Sequence, residues 1–144
     1  MRDFENNLKH DLAVVPAVIT ADADGASVDM KDYSSVAFYA LVGDSGDTLS
    51  SSVYILLEVE ESDDDSSFTD CADADITNAV TGATTGTFKK IDAPAEDQII
   101  AMCQYRGSKR YVRPVINVVG THSNGTSIGI MAIRSGAEKL PVSN

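Results

Sequence analysis

An all-β domain is what this sequence predicts: a β-sandwich or jelly-roll-like barrel of about eight antiparallel strands with an N-terminal arm. Three observations carry the expectation. Short runs of Val, Ile, Leu and Tyr alternate with polar residues, the period of a strand with one buried face. The runs recur at spacings of roughly ten residues, with turn-forming residues between them. No internal repeat or heptad interrupts the pattern. At 144 residues the chain is most simply one domain, large enough to hold its core without a disulfide or a metal.

Residues 1–11 are polar and carry no period, so they read as an arm that is mobile or docked on another surface. Residues 13–20 (AVVPAVIT) favour a strand, but Pro16 has no N–H for a ladder, which places the strand at an edge or a bulge. Asp22-Ala23-Asp24-Gly25 reads as a turn, and a short strand follows through Val28 and Met30. From 36 to 42 the series Val36, Phe38, Ala40, Val42 is apolar, and so are the intervening Ala37, Tyr39 and Leu41. Such a strand is central and covered on both faces, or it lends one face to a subunit contact.

Val53, Ile55, Leu57 and Val59 alternate with Tyr54, Leu56, Glu58 and Glu60, which makes a half-buried strand. Residues 61–87 form an excursion with one helical turn near 72–80. The β pattern resumes at 87–91, 98–105, 109–119 and 126–134. In 109–119, Val112, Ile116 and Val118 share a face, opposite Lys109, Tyr111, Arg113 and Asn117. Pro114 falls on the apolar face and marks a bulge or an edge. Residues 105–116 read as a strand, a tight Gly107-Ser108 reversal in which Gly107 is free to take a positive φ, and a second strand. Asn124-Gly125 between two strands is a strong hairpin signal. Residues 12–136 therefore make one sandwich domain, and 137–144 an irregular tail.

The 22 acidic and 11 basic residues leave a net charge of −11. That balance opposes nucleic acid as a partner, because phosphate binding needs a cation-rich surface, and it opposes an anionic membrane. Solubility at high local concentration, or docking on a basic protein surface, suits it better. Cys71 and Cys103 form no CxxC pair; reduced, partly buried thiols are expected, and their spacing does not decide a disulfide. Residues 1–7 lack the apolar core of a signal peptide, and no segment reaches the roughly 18 apolar residues of a membrane helix. The expectation is a soluble protein made in a cytoplasm.

Candidate sites are few. Nine acids lie between 58 and 75, with no Lys or Arg among them. Hard oxygens in that number suit Ca²⁺, but the EF-hand glycine and closing glutamate are missing, so no metal is assigned. A solvated loop, or a contact with cations of a neighbouring subunit, accounts for them. Arg106, Lys109, Arg110 and Arg113 cluster between and beside Tyr105 and Tyr111. Tyr and Arg are enriched at contact hot spots, so these six, with Phe4 and Leu8 of the arm, are the candidate interface residues. His10 and His122 lack ligand partners at zinc spacing. No Gly-x-Ser-x-Gly elbow, Walker loop or GxGxxG is present, so neither an enzyme nor a cofactor is expected. A carbohydrate-binding sandwich would need an aromatic platform, and the chain has no Trp and only nine Phe plus Tyr.

Residues 12–19, Tyr33-Ser34-Ser35-Val36-Ala37-Phe38, the acidic 58–64, Asp73-Ala74-Asp75, the segment 105–113 (YRGSKRYVR) and a closing Gly-Thr strand follow one another in a telling order. In that order they resemble a family of small proteins encoded among the head genes of tailed bacteriophages. The resemblance spans about residues 12–135 and is most specific at 105–113. It implies a virion structural protein of the phage head, a capsid decoration (cement) protein on the outer shell. The implied partner is the major capsid protein, with self-association as a trimer and no catalytic residues. A head-completion, head–tail connector or tail-tube role is the alternative it allows.

Overall fold

The computed structural model describes residues 3–143. It is an all-β sandwich of two antiparallel sheets. The strands are β1 (Lys9–Ile19), β2 (Ala23–Asp24), β3 (Val28–Asp29), β4 (Ser35–Ser45), β5 (Tyr54–Ser62), β6 (Thr69–Asp70), β7 (Thr87–Ile91), β8 (Ile99–Tyr105), β9 (Tyr111–Val119) and β10 (Thr126–Ser135). One sheet runs β1-β10-β4-β8. The other runs β2-β9-β5-β6, with β3 also on β9 and β7 also on β5. With β2 and β3 counted as one interrupted strand, this crossing pattern is that of a jelly roll.

The core lies between the sheets. Val36, Phe38, Ala40, Ile128, Ile130 and Cys103 face Ile55, Leu57, Val59, Val112, Ile116 and Ile91, all buried. Alternation puts them there: each is one of every second residue on its strand. Burying a side chain of this kind contributes roughly 1.5–3 kcal/mol, and these inward rows are what make the two sheets one domain.

Pro16 behaves as its chemistry requires. β1 is an edge strand, and its register on β10 shifts on either side of Val14. Pro114 sits instead in a central strand, opposite Val59, without a shift in register on β5. Its missing N–H is accommodated on the other flank, where the neighbouring strand breaks between β2 and β3. Gly25 fills that break: its N–H donates to the Pro114 carbonyl at 2.8 Å, and a Cβ there would stand 2.7 Å from the Pro114 ring.

Several local expectations are corrected. Residues 105–116 do not form a hairpin: β8 pairs with β4 in one sheet and β9 with β5 in the other, so the segment crosses the sandwich. Gly107 is not among the positive-φ residues. It is glycine because the Tyr105 ring lies where its Cβ would be. Asn124-Gly125 likewise joins strands of different sheets, although Gly125 does adopt φ +74°. Residues 23–24 of the expected turn form β2. The arm is shorter than 1–11, since a helical turn (α1, Phe4–Asn7) capped by Asp3 leads into β1 at Lys9; Met1 and Arg2 of that arm lie outside the described residues. The helical turn expected near 72–80 is a single 3₁₀ turn at Asp73–Asp75.

Candidate interaction surface

The segment around the loop between β8 and β9 was the sequence's leading candidate, and three of its four cations are already engaged within the chain. Arg110 grips Asp29 with two hydrogen bonds of 2.9 and 2.8 Å and lies over the Tyr111 ring, 4.9 Å from its centre. Arg113 bonds Glu60 at 2.7 Å, pairs with Asp24 at 3.0 Å and stacks on Phe68 at 4.3 Å. Lys109 meets Asp63 at 2.5 Å. The Arg106 side chain is exposed, while its N–H donates to the Asp75 carbonyl at 2.6 Å. Two acids of the 58–75 stretch, Glu60 and Asp63, thus pair with cations of their own chain. Phe4 is exposed; Leu8 and Tyr105 are buried, which removes those two from the surface.

The same pairing explains the titration of the acids. Arg110 holds the Asp29 carboxyl down at about 2. Asp64 also lies at about 2, because the N–H groups of Ser67 and Ser66 and the Ser62 hydroxyl all donate to it. Those bonds close the 62–67 turn and account for this carboxylate without a metal. No group of three or more metal-ligating side chains occurs among the described residues. Cys71 and Cys103 are free, and burial pushes both thiols up to about 12.

The outward face of the second sheet is polar and partly covered. Glu58 is buried there, with the Thr87 hydroxyl donating to it at 2.9 Å and the Asn117 amide bonding its other oxygen. Burial raises its pKa. Residues 80–84 of the excursion stand beside Tyr54, Leu56 and Lys90 on this side, and Leu56 is buried.

The outward face of the first sheet is bare. Strand register aligns Leu12, Met131, Tyr39 and Met102 in one row across β1, β10, β4 and β8. On the next row Gly129, Leu41 and Ile100 are aligned, and the Pro16 ring lies beside Gly129. Val18 and Ser127 continue the face. Ile100 is 69% exposed, Val18 59%, Leu12 57%, Leu41 52% and Met102 38%. The rows end in His10, Ile133, Ala37 and Gln104 on one side. No Asp, Glu, Lys or Arg stands at any of these outward positions.

Exposed apolar residues scattered singly are ordinary, whereas a contiguous apolar face marks an interaction site. With each such side chain presenting on the order of 100 Å², this patch lies at or above the roughly 300–600 Å² of a typical monomer's largest. The double apolar pattern at 36–42 is the signal that announced it. The contributions of β1, β8 and β10 were missed because each was read as a strand with no partner face assigned.

No helix among the described residues is long and apolar enough to cross a membrane. No protein-family model matches the chain, and no curated protein does either.

Proposed function

We propose that this chain is a virion structural protein of a tailed-phage head, a capsid decoration protein that stabilises the shell by protein–protein contact. The role is adhesive, and no bond of a substrate is made or broken. The observation that carries the adhesive part is the bare, charge-free apolar face of the β1-β10-β4-β8 sheet, which has no counterpart on the other sheet. The head is favoured by the resemblance centred on residues 105–113. The internal ion pairs of Arg110, Arg113 and Lys109 favour a rigid binding module over a cleft with converging reactive groups. Phe4 and Arg106, exposed near the sheet ends, are the candidate contacts with the major capsid protein. Linking several copies on a lattice makes weak contacts avid.

Heads assembled without this chain are expected to form normally and to break at lower temperature, or sooner on chelation, than complete heads. Deficient heads as robust as complete ones overturn the reading. Copy number separates the connector alternative: on the order of hundreds per particle for decoration, about six or twelve for a ring at the portal or tail axis.

A further inference from the structure

We propose that two copies of this chain pair face to face through the outward side of the β1-β10-β4-β8 sheet, about a two-fold axis running along the strands between β10 and β4. The inference deepens the reading above, resting on its claim that this face works against protein, and it names the partner there as a second copy.

Charge is the first reason. Each copy carries −11, so two copies repel wherever their acids approach. The outward rows of this sheet hold no charged residue, so here two copies approach with the least of that cost. A basic partner would gain nothing on this face and everything on the acidic surface elsewhere. Size is the second reason. Five exposed side chains on the order of 100 Å² each, with the flanking Tyr39, Met131 and Pro16, give a face on the order of 600 Å², the lower end of what each partner buries in a specific complex.

Shape is the third. Gly129 has no side chain, and Leu12, Pro16, Leu41 and Met131 border an apolar groove over it. Leu41 projects beside that groove on the neighbouring strand, in the same cross-strand row. A two-fold axis between β10 and β4 lays Leu41 of one copy over Gly129 of the other, and Ile100 over Pro16. Each contact occurs twice, as an isologous interface requires. Packed sheets of this kind lie about 10 Å apart, a gap that Leu and Ile side chains from both faces fill.

Sedimentation velocity of the purified full chain across a concentration series tests this. The expected species has twice the 15.3 kDa mass of the chain, and salt strengthens it, since screening removes repulsion while the apolar contact remains. Leu41→Asp and Ile100→Asp are each expected to weaken pairing about thirty-fold or more, with unchanged circular dichroism. Thr81→Asp, on the excursion beside the other sheet, leaves pairing intact. A chain that stays monomeric at every concentration and salt, a three-fold species, or pairs that survive both face variants overturns the proposal. Mixing with heads that lack the chain separates the two readings. Pairs that form in solution but bind no head sustain the pairing and remove the head role. A chain that binds heads only as a monomer, with this face on the shell, does the reverse.

Discussion

The Tyr105 hydroxyl, on the last residue of β8, donates a 2.5 Å hydrogen bond to Oε2 of Glu61 on β5. One contact therefore ties the two sheets at the end of the sandwich. The Tyr105 hydroxyl oxygen in turn accepts the Lys109 N–H at 3.0 Å, which fixes the start of the crossing loop. Burial, and then the bond to Glu61, push the phenol well above its ordinary value, so it stays a donor at all working pH.

Tyr105→Phe removes that donor and leaves the Glu61 carboxylate short of a partner, at an expected cost of about 1–2 kcal/mol in urea unfolding. Gly107→Ala drives a methyl group into the Tyr105 ring and is expected to cost about 1–3 kcal/mol. Because the two residues touch, a double variant that also shortens Tyr105 to Leu should cost less than the sum of its parts. Full additivity would show that the ring does not fix Gly107.

Acid sensitivity follows from Asp29 and Asp64, both held at about 2 in the folded chain. Their folded values lie below the ordinary carboxylate value of about 3.9, so their contribution is present above that pH and is lost as pH falls through about 2. Thermal unfolding between about pH 4 and 2 should be less pH-dependent in Asp29→Asn and in Asp64→Asn than in the unsubstituted chain. Equal slopes would contradict the assigned partners.

Glu58 runs the other way. Burial raises its folded pKa, so its contribution is full below the ordinary glutamate value and is lost as pH rises through the raised one. Glu58→Gln keeps an acceptor for the Thr87 hydroxyl and removes the buried charge. The variant should be at least as stable as the parent at pH 7, with an advantage that shrinks toward about pH 4. A large loss at pH 7 would mean that the ionised form is better held than its two bonds suggest.

Both thiols titrate at about 12 and lie in the core, so neither supplies thiolate at neutral pH. In the folded chain, a disulfide reagent at about pH 8 should react only at the rate of unfolding, and with both cysteines promptly in urea. Fast reaction of the native protein would place a thiol at the surface.

How much of this was legible depends on range. The alternations in β5 and β9 are local, and they give the strands and their buried faces directly. β2, β3 and β6 span two residues each, too few for any period, and exist only because β9 and β5 offer them edges. Turn chemistry marks where the chain reverses but not which sheet it enters. For that reason Gly107-Ser108 and Asn124-Gly125 read as hairpins although both cross the sandwich. The cation cluster looked free because its partners are distant: Asp29 and Arg110 are 81 residues apart. The apolar face was half legible, in Ala37, Tyr39 and Leu41, since one strand can show two apolar sides but cannot show its neighbours.

Hydroxyl-radical footprinting of the chain within purified heads, set against the isolated Ile100→Asp variant, tests most directly whether the bare sheet is a working surface. Strong protection of Leu12, Leu41 and Met102 in the particle, with little change at Phe88 of the core, is the expected result. Equal modification of those three side chains in both states, or heads that contain no copy of this chain, would contradict it.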